Sequence, residues 1–190
     1  MLPFTRKVSF SLGQNIGRGI RFQSTAAYET VIKSVRQDLK NNIKAKADVL
    51  ERNVIKSILV EVKNFEVNNP GKTKDEFQLH DLLTKLANQR RKTAQEYLKD
   101  GTSKRSKEMG EKELSEIPYI EKYLKELPVA SEAEIEAKVE EIANELIKEG
   151  PLDNPKKLFG KIPWNLIQSE WKASRSSVTS VIPKVLEKYK

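Results

Sequence analysis

At three points beside a break in the apolar pattern, a helix-capping residue is followed, three positions later, by glutamate: Asp48 and Glu51, Thr73 and Glu76, Ser131 and Glu134. In such a pair the first side chain accepts from a backbone N–H at the start of a helix, and the glutamate reaches back to the cap. Each pair therefore marks a helix start, and apolar residues at helical spacing flank or follow all three. Tyr28, Val31, Ile32, Val35, Leu39 and Ile43 keep that spacing before the first pair. Leu50, Val54, Ile55, Ile58, Leu59, Val62 and Phe65 form the face of the second helix, which NNPG at 68–71 stops. Leu79, Leu82, Leu83, Leu86, Ala94 and Tyr97 form the face of the next, which Gly101 ends. Alternation of the strand kind is almost absent. The chain reads as all-α: a long antiparallel helical hairpin folded about the PG turn, followed by a smaller helical tail domain.

Between these parts, TSKRSKEMGEK at 102–112 is polar and reads as a linker. The hairpin then covers 26–107 and the tail domain 108–190. In the tail, Ile117, Ile120, Tyr123, Leu124 and Leu127 line one face, and Pro118 predicts a break or kink. Residues 152–190 read as short pieces punctuated by Pro155, Pro163 and Pro183.

The first carboxylate is Glu29, whereas Arg6, Lys7, Arg18 and Arg21 precede it among serines. An arginine-containing, serine-containing and acid-free start has the composition of a mitochondrial transit peptide, assigned to residues 1–25 with cleavage near 22–25. That start also corrects the charge argument. The chain is +8, but residues 26–190 hold 31 basic against 27 acidic residues, a balance of only +4. The distribution is uneven: 8 basic against 2 acidic residues at 84–107, then 5 against 13 at 108–149. No apolar run approaches the roughly 18 residues needed to cross a bilayer, so no membrane insertion is expected.

The chemistry of catalysis is sparse. Cysteine is absent and His80 is the single histidine, best read as solvated beside the apolar stripe of its helix. No Ser-His-Asp or Cys-His set follows from these residues, and they call for no metal and no cofactor. GKT at 71–73 is not a phosphate loop, because Glu66 stands where that loop needs glycine. Trp164 and Trp171, seven apart, read as core or docking residues on one side of a helix rather than as base-stacking platforms.

The basic run Arg90-Arg91-Lys92 divides by angle. At about 100 degrees per residue, Arg90 falls in the centre of the apolar face while Arg91 and Lys92 turn away from it. A guanidinium in that position needs a partner, and Glu61, Glu113 and Glu116 are the candidates for a buried structural ion pair. Arg91, Lys92, Lys99, Lys104, Arg105 and Lys107 are left as an exposed stripe. It is either a phosphate-contacting surface for RNA or a solvated face balanced by the acidic block.

LANQRRKTAQEYLKDG at 86–101, followed by GEKELSEIPYIEKYLKELPVASEAEIEAKV at 110–139, resembles the GatB/YqeY domain family, and with the leader its fungal mitochondrial members. The shared pattern is a basic Q-R-K helix ending near glycine, an E-x-E-L segment, a Y-L-x-x-x-P step and an acidic S-E-x-E helix start, spanning about residues 28 to 150. The resemblance implies a helical hairpin plus the small helical domain that ends GatB, a subunit of the glutamine-dependent amidotransferase acting on Glu-tRNA. It implies association with tRNA, a mitochondrial translation complex or amidotransferase subunits. Any carbon–nitrogen ligase chemistry would be a partner's, since the family's active sites lie outside this domain and no catalytic residue carries over. VIPKVLEK at 181–188 resembles a family Met-Pro-Lys step, but the chain then ends, and NPKKLFGKIPWNLIQSEWKAS precedes it as an apparent insertion. The reading is a non-catalytic protein of the mitochondrial matrix associated with tRNA or translation. The alternative is a protein-interaction adaptor that touches no RNA.

Overall fold

The computed structural model describes residues 24–46, 48–100, 103–149 and 155–189, and every regular element among them is helical. The order is α1 (Ala26–Ala45), α2 (Val49–Asn68), α3 (Glu76–Asp100), α4 (Lys104–Glu126), α5 (Glu132–Glu149), α6 (Pro155–Lys161) and α7 (Arg175–Glu187). Most of the leader segment expected at 1–25 lies outside the described residues. Its last two residues belong to the folded body: Ser24 bridges Lys74, and Thr25 donates its N–H to the Lys74 carbonyl at 2.9 Å while its side chain caps α1.

The caps explain the helix starts. Asp48 accepts from Leu50 N–H at 2.8 Å, and Ser131 and Glu134 close a reciprocal box. The third expected start is displaced. Asp75, not Thr73, accepts from Gln78 N–H at 2.7 Å, and Glu76 instead accepts from the Thr25 hydroxyl at 2.6 Å. The glutamate is thus engaged by the chain's N-terminal segment, which local spacing does not reveal.

Residues 103–112 are not a linker. Ser103 caps α4, accepting from Ser106 N–H, and the helix begins at once. Pro118 does not end it either. Pro118 and Leu114, whose carbonyl loses its helical partner, are both exposed, so the ring sits on the solvent side of the helix and leaves the apolar face intact. Pro183 lies inside α7 with Thr179 exposed in the same way, whereas Pro155 opens α6. The tryptophans do not share a helix, because the segment between them forms consecutive turns.

α2 and α3 touch, but the most extensive helix pair is α3 with α4. These two run antiparallel: Gly110 meets Ala94 and Leu98, while Glu116 meets Arg90 one turn further back along α3. The close approach depends on Gly110, where an added Cβ would lie 2.9 Å from Leu98 Cγ and 3.2 Å from the Ala94 carbonyl oxygen.

Burial divides the molecule into two lobes. Tyr28, Val35, Ile55, Ile58, Leu83, Ile120 and Tyr123 belong to a first core built by α1 to α4, which extends to Leu127. A second core, from Ile135 to Leu186, is built by α5 to α7 and includes Trp171. The cores therefore separate between Leu127 and Ile135, not at 107/108, because α4 packs its apolar face onto the first core. Ile43, which keeps the spacing of the α1 face, is 53% exposed. α1 outruns the core there, and Asn42 is buried instead.

Candidate nucleic-acid interface

The α3–α4 pair places the basic residues. Arg90, inside the apolar face of α3, donates from Nε to Glu116 Oε2 at 2.8 Å, with 17% and 13% of the two side chains exposed. Of the three candidate partners, Glu116 is the one in contact. The six residues of the expected exposed stripe separate into three groups. Arg91 donates to Asn88 at 2.8 Å and to Glu121 on α4 at 2.5 Å, so much of its hydrogen-bonding capacity is used within the fold. Lys92 is 81% exposed and 4.0 Å from Glu96 on its own helix. Lys99, Lys104, Arg105 and Lys107 gather where α3 ends and α4 begins, all exposed. Lys104 is 93% exposed and 3.9 Å from Glu108; the other three form no ion pair among the described residues.

This tip has an unfavourable internal electrostatic arrangement. The first turn of α4 holds no acidic residue but carries Lys104, Arg105 and Lys107 at the positive end of the helix dipole. Cations there raise the energy of the helix by a few tenths of a kcal/mol each, and an anion at the same place lowers it. An arrangement that repels itself in isolation is relieved by a polyanion.

A second feature was not legible from the stripe. Between the lobes lies a groove of about 1210 Å³, walled by α2, α3 and α4 on one side and by the first turns of α5 and α7 on the other. Lys85 and Lys125 line it, and both lie outside the stripe expected from the sequence. The available signal is the spacing of Lys85, Lys92 and Lys99, seven apart and hence nearly in line along α3. His80 also lines the groove and is only 20% exposed, with Nδ1 buried and lacking a hydrogen-bond partner, so it is not the solvated histidine expected. The tryptophans serve packing. Trp171 is in the second core beneath the Lys138 ammonium, and Trp164 stacks on Phe159 while donating from Nε1 to the Phe159 carbonyl at 2.8 Å.

Among the described residues no cluster of His, Asp and Glu is placed to hold a metal ion, and no helix is long and apolar enough to cross a membrane. Fold and site together define a two-lobed helical protein with a cationic hairpin tip. The family model for Yqey-like proteins matches residues 32–185, and the chain belongs to that family. The match includes the C-terminal segment that departs from the family's sequence pattern, so the resemblance extends past residue 150. The chain is similar to "Altered inheritance of mitochondria protein 41, mitochondrial" of Komagataella phaffii, 47% identical over 172 residues that cover 90% of each chain. The protein of the same name from Lachancea thermotolerans is 39% identical over 182 residues, covering 94% of this chain and 95% of the relative. No solved structure matches. This is a mitochondrial protein of the YqeY-like family.

Proposed function

We propose that the protein acts in the mitochondrial matrix as a non-catalytic RNA-binding protein, associating with tRNA or a tRNA-containing translation complex through the α3–α4 tip. The observation that carries this reading is the gathering of Lys99, Lys104, Arg105 and Lys107, exposed and almost without carboxylate partners, around the N-terminus of α4. Phosphates suit such a site because each contact releases condensed counterions and needs no base sequence. The resemblance to the amidotransferase subunit supports a place near tRNA, with amidotransferase subunits as candidate neighbours and all chemistry theirs.

Crosslinking in intact mitochondria, followed by sequencing of the RNA and mass spectrometry of the proteins recovered with the tagged chain, tests the proposal. Enrichment of tRNA in the crosslinked fraction, lost when the four tip residues are replaced by Gln, is the expected result. Recovery of a defined protein partner with no RNA above background would replace this reading with the adaptor. Resistance to external protease after rupture of the outer membrane alone tests the matrix assignment.

A further inference from the structure

The groove between the lobes has a chemistry different from that of the tip. Asn64, Thr84 and Gln89 supply neutral amides and a hydroxyl, while Asn88 already accepts from Arg91 and the Ser177 and Ser180 hydroxyls of the other wall are hydrogen-bonded to Ser174 and to the Ser177 carbonyl, each keeping part of its capacity. Gln78 Oε1 and His80 Nδ1, on two further lining residues, have no hydrogen-bond partner among the described residues, but both atoms are buried beneath the groove surface. Two of the four lining carboxylates are paired with cations, Glu121 with Arg91 and Glu132 with Lys184, while Asp81 accepts from the neutral Ser174 hydroxyl and keeps its charge, as does Glu61. The lining lysines are less engaged. Lys85 and Lys125 have no ion pair among the described residues, and Lys92 has only Glu96 at 4.0 Å. The lining thus mixes amides and hydroxyls with apolar side chains such as Leu82, Leu86 and Leu124, and lysines without close ion-pair partners stand along it.

The lysines also connect the groove to the tip. Lys85, Lys92 and Lys99 are all exposed and succeed one another every seven residues on α3. Seven residues turn the helix by nearly two whole turns and advance it about 10 Å, so the three form a line of about 21 Å. One end of that line lies at the tip, and the other two lysines line the groove.

We propose that the groove takes the unpaired end of an RNA whose backbone follows the Lys99–Lys92–Lys85 line, with exposed bases hydrogen-bonded to the amides and hydroxyls inside. This rests on the RNA reading of the tip and goes beyond it by assigning a second site and its ligand chemistry. A duplex hides its base edges and is recognised mainly through backbone and shape, so it would satisfy the tip alone. Unpaired bases present both donors and acceptors, as asparagine, glutamine, threonine and serine do.

The test uses the purified chain and two probes, a hairpin RNA with a short unpaired tail and the same hairpin made blunt. Two or three net hydrogen bonds to unpaired bases are enough for wild type to prefer the tailed probe by roughly tenfold or more. Thr84→Trp fills the groove without removing a charge. It should bring the preference to near one while leaving blunt-hairpin affinity unchanged, with circular dichroism confirming the fold. Lys85→Gln should weaken binding of the tailed probe more than the blunt one. Equal affinity of wild type for the two probes would overturn the groove assignment and leave the tip standing, whereas failure to bind either probe would overturn both. Full retention of the preference in folded Thr84→Trp would also overturn it.

Discussion

Arg90 and Arg91 are neighbours in sequence with different energetic roles. The Arg90–Glu116 pair is largely shielded from water, and removing one partner strands the other charge in a poorly hydrated site. Arg90→Ala should therefore cost about 3 kcal/mol in a denaturant titration. The Arg91–Glu121 pair is 44% and 39% exposed, and Arg91→Ala should cost under about 1 kcal/mol. Equal losses would show that the register of α3 against α4 is wrong. Two tyrosines set an alkaline limit. Burial pushes the Tyr28 hydroxyl well above its ordinary value of 10.0, helped by the charge and hydrogen bond of Glu66. Burial also raises Tyr123, with the hydrogen bond to Asp38 adding to it. A raised folded-state value means that the neutral phenol is favoured in the fold. This stability is present below pH 10.0 and is lost as pH rises above it. Thermal melts should hold up to about that pH and then fall, less steeply in a Tyr28→Phe, Tyr123→Phe variant. A fall of the same steepness in the variant would contradict the assignment.

At the scale of elements, Gly110 and Gly160 make opposite predictions from the same residue type. Gly110 is where α3 and α4 come closest, and Gly110→Leu should cost about 2 to 3 kcal/mol by overpacking against Leu98 and Ala94. Around Gly160 a Cβ would meet nothing within 4 Å, so Gly160→Ala in α6 should be neutral or stabilising by about 0.5 kcal/mol. Chemical denaturation of both variants checks the pair. The helices themselves were legible because their signals are local: capping side chains, apolar spacing and the NNPG stop. Less legible were features decided by distant contacts. The α3 start shifted because Thr25, 51 residues away, takes up Glu76. The 102–112 stretch is polar, yet most of it is helix, with buried Gly110 drawing it onto α3. The site was legible in the same limited way. Helical angle separated Arg90 from its neighbours, but that Glu121 would engage Arg91, or that Lys85 would line a groove, depends on how lobes and helices meet.

The whole molecule is two cores joined across a groove, and Ser174 is a principal tie between them. Its hydroxyl donates to Asp81 of α3 at 2.6 Å and accepts from Ser177 N–H at 2.9 Å as the cap of α7. Ser174→Ala should cost about 2 kcal/mol, since a helix cap and a largely buried hydrogen bond are lost together. A loss within about 0.5 kcal/mol of zero would show that the lobes are held by other contacts. At the tip, the salt dependence of RNA binding reports directly on phosphate contacts. Wild type should bind a structured tRNA with affinity that falls steeply as salt rises. Replacing Lys99, Lys104, Arg105 and Lys107 with Gln removes four candidate phosphate contacts, which should flatten the slope of log affinity against log salt by up to roughly 3.6. Arg91→Gln, already engaged with Glu121, should change that slope by less than about 0.5. A wild type without measurable tRNA affinity at low salt, or a fourfold variant with an unchanged slope, would contradict the account.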